Sequence, residues 1–407
     1  MSTKRNRGPA VEAVTERATA TTLELFFDLV FVFALTQVTA LMAADLTASG
    51  MARGILTLAI IWWCWVGFSW LANVAKADEG ATRLAILMAM AAMFVIALSV
   101  PESFVDIPGG LHGPTVFAFA YLVLRGVHVV QFVVASQGQP HLRRQVLLFG
   151  TTLVGSTALL IAASRTHGST QLLLWGAVVL IDYGGTLLIG SRGWRIDSAR
   201  HFAERHGLII IVALGESIVA IGLGAAKMPV SWPIIMAAIL GLSVSASLWW
   251  AYFDTSALRA EHALIKAQGE ARTVLAQTAY TYLHLPLIAS IVLIALGLKK
   301  VLVYVGDDQH HHLTDPLTGL PLAALLGGAA MFLIAHAAFG HRAYGEFNKL
   351  RAALGVALLA LYPIASHLPA IASLGLVALL LAGLNLTETI RDAERRHDVR
   401  HQEHEPM

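Results

Sequence analysis

Long apolar runs recur along the whole chain and are separated by short polar segments. Each run has roughly 17–25 mostly apolar residues, which is the length of helix needed to cross about 30 Å of hydrocarbon. The pattern predicts twelve membrane-spanning helices, near residues 24–46, 54–73, 82–100, 115–135, 145–163, 171–190, 207–225, 232–253, 273–298, 321–340, 351–367 and 370–387.

Composition supports this interpretation. The chain has 407 residues, of which 57% are hydrophobic and 13% charged, whereas a soluble domain is about a quarter charged. We therefore predict an all-α polytopic membrane protein. The net charge of +2 gives no indication of a nucleic-acid partner. Cys64 is the single cysteine, so a disulfide within one chain and a Cys-rich metal site are both excluded.

The distribution of Lys and Arg predicts the orientation. With twelve spans, about 22 of these residues fall on the side that carries both termini and about five on the other, and cytoplasmic loops are the ones enriched in Lys and Arg. We therefore expect both termini in the cytoplasm. The predicted segments are a cytoplasmic N-terminal segment (1–22), a first six-helix membrane half (23–200), a second six-helix half (201–388) and a cytoplasmic charged tail (389–407).

The two halves share landmarks that indicate a weak internal repeat. An aromatic run at 62–65 in span two corresponds to one at 249–252 in span eight, and His128 in span four corresponds to His336 in span ten. Six spans is an even number, so two such halves would have the same topology and an axis of pseudo-symmetry along the membrane normal. Coincidence between hydrophobic helices is the alternative.

Two carboxylates open span one. Glu24 and Asp28 are four residues apart and therefore share one face of a helix. Charges inside a membrane are expensive, and they usually face the interior of the helix bundle and pair with each other. This pair is either a proton or cation relay at the inner mouth of the protein, or an interfacial carboxylate pair salt-bridged to a loop arginine. The sequence leaves both interpretations open.

Charged residues also lie near the middle of later spans. Glu216 lies about nine residues into span seven, and Arg125, His128 and Gln131 follow one another at intervals of three in span four. An unpaired arginine at that depth would be costly. We therefore predict that Arg125 pairs with Glu216 or shares a polar cavity with it, and Asp182 in span six is the other candidate counter-ion.

Further candidates lie near the ends of spans. Glu204 and Arg205 precede span seven, and Asp254 ends span eight, where it could cap the helix or pair with a loop arginine. The histidines at 310–312 in the longest external loop allow a metal-binding interpretation, although a solvated loop tip is the simpler one. The chain has no GxxxxGK[ST] phosphate loop and no HExxH zinc motif, so no cofactor or resident metal is predicted.

Four short segments resemble a known family. Residues 24–32 read ELFFDLVFV, residues 201–208 read HFAERHGL, residues 213–218 read ALGESI, and residues 249–254 read WWAYFD. Together they resemble the bacterial low temperature requirement protein A family over about residues 20 to 390. The resemblance implies a multispan protein of a bacterial inner membrane, linked to growth in the cold. It supplies no substrate and no defined catalytic residues.

These features favour a proton- or cation-coupled secondary transporter of unknown substrate. The candidate residues for transport or proton relay are Glu24, Asp28, Arg125, His128, Asp182, Glu204, Arg205, Glu216 and Asp254. The alternatives are a membrane-embedded enzyme acting on a lipid or isoprenoid, which is disfavoured because no standard enzyme motif is present, and a non-catalytic sensor or scaffold for cold membranes. The expected partners are the lipid bilayer, a small-molecule or ion substrate and, as an open option, a second copy in a homodimer, with no nucleic acid.

Overall fold

The computed structural model of the chain describes residues 19–75, 80–226, 228–307 and 309–393. Most of the predicted N-terminal segment (1–22) and most of the predicted charged tail (389–407) therefore lie outside the described residues. Lys227, and Asp308 beside the loop histidines, lie outside them as well.

The described residues are helical and include no strand apart from an isolated bridge between Pro316 and Pro369. Eleven of their helical segments are long and apolar enough to cross a membrane, which confirms an all-α polytopic membrane protein. The helices are α1 (Thr22–Ala44), α2 (Ala48–Ala72), α3 (Gly80–Ser99), α4 (Gly113–Ala135), α5 (Pro140–Ala163), α6 (Gly168–Ile189), α7 (Ala199–Ala225), α8 (Trp232–Phe253), α9 (Ser256–Lys266), α10 (Gly269–Gly306), α11 (Gly319–Tyr344), α12 (Lys349–Ala360), α13 (Tyr362–Ala365) and α14 (Ala370–Arg391).

The prediction of twelve long spans is wrong at the eleventh. Residues 351–367 were expected to form one spanning helix, but the structure divides them between α12, which has 12 residues, and α13, which has four. Pro363 explains the division, because proline has no N–H to donate to the carbonyl four residues earlier and disfavours helical geometry in the residue before it. The predicted position of both termini on one side of the membrane stays a prediction.

The chain divides into two compact units. The first unit holds the described residues within 1–34, 59–205 and 268–274. In it, α3 packs against α4, α4 against α5, and α5 against α6. Helix α6 contains a π-helical turn, Leu180–Gly184, in which the extra residue per turn breaks the regular α-helical spacing.

The second unit holds the described residues within 35–58, 206–267 and 275–407. Its tightest packing joins α10 to α11, where glycines bring the helix backbones together. A Cβ on Gly297 would lie 2.7 Å from Leu325 Cβ, and one on Gly328 would lie 2.9 Å from the Ser290 carbonyl oxygen. Helix α10 also contains a π-helical stretch, Ala276–Tyr282. The predicted six-helix halves and their repeat remain predictions.

Candidate functional site

A network of buried charges joins α1, α2 and α7 in the first unit. The Arg205 guanidinium donates a hydrogen bond to Asp28 Oδ1 at 3.0 Å, and the indole of Trp65 donates to the same oxygen at 2.8 Å. Arg205 also lies with its guanidinium carbon 5.5 Å from the centre of the Trp65 ring. Asp28 and Arg205 are each 1% exposed. Arg205 lies within α7, so the carboxylates at 24 and 28 are paired with an arginine of a helix and not with a loop arginine.

Glu24 lies next to this pair and contacts two residues of α7. The imidazole of His201 lies 3.0 and 3.2 Å from the two Glu24 carboxylate oxygens, and Arg205 Nη1 lies 3.8 Å from one of them. His201 and Arg205 were expected before span seven, but α7 begins at Ala199. Ser198 accounts for the earlier start, because its hydroxyl accepts a hydrogen bond from the His201 N–H and caps the first turn.

Asn73 contacts His201 and the backbone at the start of α7. Its side-chain oxygen accepts hydrogen bonds from the backbone N–H groups of Asp197 and Ser198, and its amide nitrogen donates to the Ser198 carbonyl at 2.6 Å. That amide nitrogen also faces His201 Nδ1 at 3.4 Å. The two ring nitrogens of His201 therefore have different neighbours, the Asn73 amide at Nδ1 and the Glu24 carboxylate at Nε2.

Two carboxylates share one arginine in this network. Glu24 and Asp28 bring two negative charges when both are ionised, and Arg205 brings one positive charge. Asp28 Oδ2 is buried and accepts no hydrogen bond from the part of the chain that the structure describes. A surplus negative charge in a membrane interior is costly, and one proton on this free oxygen would remove it. The arrangement is therefore suited to binding and releasing a single proton.

A second buried network joins α4, α5 and α6 in the same unit. Asp182 lies in the π-helical turn of α6 and accepts a hydrogen bond from the Tyr121 hydroxyl at 2.8 Å and from the Ser156 hydroxyl at 2.9 Å. Arg125 Nη2 lies 3.7 Å from Asp182 Oδ1. Asp182, one of the two counter-ions expected from the sequence, therefore lies beside Arg125.

The guanidinium of Arg125 is enclosed but not saturated. Arg125 is 0% exposed, and none of its three guanidinium nitrogens makes a hydrogen bond within the described residues. Its guanidinium carbon lies 4.6 Å from the centre of the Phe149 ring, a cation–π contact. His128, one turn further along α4, is packed against Gly67, where a Cβ would lie 2.8 Å from the imidazole.

Glu216 belongs to the second unit. It is 1% exposed, and its carboxylate accepts a hydrogen bond from the Thr36 hydroxyl on α1. Because Arg125 belongs to the other unit, the pairing of Arg125 with Glu216 stays a prediction.

Asp254 lines a polar cavity of about 300 Å³ in the second unit. Arg351 is part of its lining and makes a two-pronged ion pair with Glu388, at 2.9 and 2.7 Å, and contacts His336. Arg259 pairs with Glu346 at the rim, at 2.6 Å. The sequence analysis singled out Asp254 but not this cluster, whose other members come from α9, α11, α12, α14 and the loop after α11.

Glu204 is the remaining candidate from the sequence, and Asp197 is a further acid near the start of α7. Glu204 accepts a hydrogen bond at 3.1 Å from the backbone N–H of Ala20, just before α1. Asp197 precedes α7 and pairs with Arg195 at 2.7 Å, and partial burial raises the pKa of this carboxyl in spite of that cation.

Two of the loop histidines, His310 and His311, pair with different aspartates. His310 lies 2.9 Å from an Asp307 oxygen, and its hydrogen bond lowers the pKa of that aspartate. His311 lies 3.8 Å from Asp315. Among residues 19–75, 80–226, 228–307 and 309–393, no three His, Cys, Asp or Glu side chains are grouped so as to hold a metal ion.

Comparison with known proteins covers almost the whole chain. The family model of the bacterial low temperature requirement A protein matches residues 19–386. An uncharacterized protein of Rhizobium meliloti (strain 1021), RA0937, is 28% identical over 293 residues, which cover 70% of this chain and 69% of that protein. The residues that the family model matches include both buried networks of the first unit.

Proposed function

We propose that this chain, which belongs to the bacterial low temperature requirement A family, is a secondary transporter that couples substrate movement to protons or another cation. The observation that carries the proposal is the network of Glu24, Asp28, His201 and Arg205, in which two carboxylates share one arginine inside membrane-spanning helices. Membrane transporters use such intramembrane acids as proton relays.

The geometry of the network favours a proton over a metal cation. Asp28 Oδ1 is already occupied by Trp65 and Arg205, which leaves one carboxylate oxygen free. A bound cation needs several oxygen ligands around it, whereas a proton needs one. Protonation of Asp28 would also weaken its ion pair with Arg205 on α7, so the proton would change a contact between two spans.

The proposal can be tested in proteoliposomes that contain a pH-sensitive dye. Solutes from a broad panel are added outside, and a coupled transporter should change the internal pH when its substrate is present. Asp28→Asn should abolish the change in internal pH, because the amide of asparagine cannot take up a proton near neutral pH. Asp45→Asn is the matched control, since Asp45 follows the last residue of α1 and pairs at 3.4 Å with Arg53, near the start of α2.

Two results would contradict the proposal. One is an Asp28→Asn variant that moves protons with its substrate as the wild-type protein does. The other is a correctly inserted wild-type protein that produces no solute-dependent pH change with any member of the panel.

A further inference from the structure

We propose that Arg125 and Asp182 form the binding site for a small monovalent anion, preferably a carboxylate, and that one proton enters Asp182 with each anion. This inference rests on the proposed transport function and names its substrate class. It makes the protein a carrier of an anion together with a proton.

The first argument is the unused hydrogen-bonding capacity of Arg125. A guanidinium presents five N–H donors in a planar fork that matches the two oxygens of a carboxylate. Arg125 is 0% exposed, and its three nitrogens make no hydrogen bond within the described residues. The Phe149 ring centre lies 4.6 Å from the guanidinium carbon and offers a cation–π contact rather than hydrogen-bond acceptors, so the N–H groups are left to a ligand.

The second argument is that Asp182 does not use these donors. Its two oxygens are taken by the hydroxyls of Tyr121 and Ser156, at 2.8 and 2.9 Å, and Arg125 Nη2 lies 3.7 Å away, beyond hydrogen-bonding distance. Asp182 therefore neutralises the charge of Arg125 without occupying its fork. The same cation could be held by a bound anion if Asp182 lost its charge.

Charge balance then links the anion to a proton. Arg125 and an ionised Asp182 are neutral together, and an anion added to them would leave one buried negative charge. A proton transferred from the aqueous phase to Asp182 restores neutrality and leaves Arg125 free to pair with the anion. The hydroxyls of Tyr121 and Ser156 can rotate, so they can still bond the protonated carboxyl group.

The surroundings leave Asp182 as the group that takes the proton. Around Asp182 and Arg125, the other neighbours are Tyr121 and His128 from α4, Ser156 from α5 and the Cys64 thiol from α2. Arginine does not lose its proton in proteins, and the tyrosine and thiol are already protonated at neutral pH. His128 is packed against Gly67 and ringed by Phe68, Phe132 and Phe149, with ring centres 5.2–5.7 Å away. Protonation of the His128 imidazole would place a second positive charge beside that of Arg125.

Equilibrium binding tests the site without requiring transport. Purified full-length protein in detergent is titrated with sodium formate, acetate, lactate and chloride at several pH values, and binding is followed by thermal denaturation and calorimetry. The dissociation constant of the preferred anion should rise by about tenfold per pH unit above neutrality, as expected for one linked proton. In weakly buffered solution, binding should take up one proton per anion, measured with a pH indicator.

Variants separate a binding site from a structural ion pair. Arg125→Lys keeps the charge but loses the fork, so affinity for carboxylates should fall by at least about tenfold, and more than affinity for chloride. Asp182→Asn imitates the protonated acid, so it should still bind the anion but show no pH dependence and no proton uptake. Arg144→Gln removes an exposed arginine from α5 in the same unit and should leave binding unchanged.

The proposal is overturned if Arg125→Lys binds carboxylates as tightly as the wild-type protein, or if anion binding takes up no proton. Equal effects in Arg144→Gln would also overturn it, because they would indicate a general response to salt. Anion binding with linked proton uptake, but no transport in proteoliposomes, would contradict the transport function and leave the binding site standing.

Discussion

The ion pair between Asp28 and Arg205 should show strong energetic coupling in a double-mutant cycle. Arg205→Gln removes the only strong cation of a network in which Glu24 and Asp28 are 3% and 1% exposed. Breaking a buried ion pair from one side costs about 3–5 kcal/mol. Asp28→Asn should cost less, because the new amide oxygen can still accept the hydrogen bond of Trp65.

The stability of the double variant decides the test. Asp28→Asn in the Arg205→Gln background removes one of two uncompensated carboxylates, so the double variant should be more stable than Arg205→Gln alone. The coupling free energy should reach about 1–3 kcal/mol, the upper part of the range for residues in contact. The free energy of unfolding can be measured by titrating the protein in mixed micelles with a denaturing detergent while following tryptophan fluorescence.

A matched cycle on an exposed pair provides the control. Arg192 and Glu270 lie 3.7 Å apart in the same unit with side chains 89% and 58% exposed, so Arg192→Gln and Glu270→Gln should couple by less than about 0.5 kcal/mol. Equal coupling in the two cycles would refute the argument that the buried network depends on charge balance. So would a double variant that is less stable than Arg205→Gln.

Three further predictions concern packing, pH and topology. Gly328→Ala should destabilise the protein by about 1–3 kcal/mol, because its Cβ would meet the Ser290 carbonyl oxygen at 2.9 Å, whereas neighbouring Gly327→Ala has no atom within 4 Å and should be tolerated; equal unfolding midpoints would contradict this. Because burial raises the pKa of Asp197, its contribution to stability is present below the ordinary value near 3.8 and is lost as pH rises through the raised pKa, so Asp197→Asn should flatten that part of the thermal-denaturation profile. A fluorescent reporter fused to the C-terminus should fold in the cytoplasm, and an active periplasmic phosphatase at that position would contradict the predicted orientation.

The helices could be predicted from the sequence because lipid imposes a simple requirement on composition and length. Each of the eleven long helical segments overlaps one predicted span, with shifts of a few residues at most of their ends, and the segments Trp232–Lys266 and Gly269–Gly306 extend further beyond theirs. The failure at 351–367 has a local cause in Pro363. Hydropathy alone could not detect it, because proline removes a backbone donor without making the segment polar.

The partners within the networks were harder to predict. Glu24 and His201 are 177 residues apart in sequence, as are Asp28 and Arg205. One signal was present: His201 and Arg205 have the same spacing of four residues as Glu24 and Asp28, so two adjacent helices can align both pairs. Trp65 and Tyr121 gave no such signal, since aromatic residues are common throughout these spans.

The π-helical turn around Asp182 has a consequence for the history of the family. A π-helical turn holds one more residue than an α-helical turn, so it is in effect a single-residue insertion inside a helix. In relatives that lack the insertion, the residues of α6 after this turn would be rotated by about a quarter-turn about the helix axis, compared with their positions here. An alignment of the family should therefore place a one-residue gap within 180–184, and members with the gap should lack either the acid at 182 or the arginine at 125.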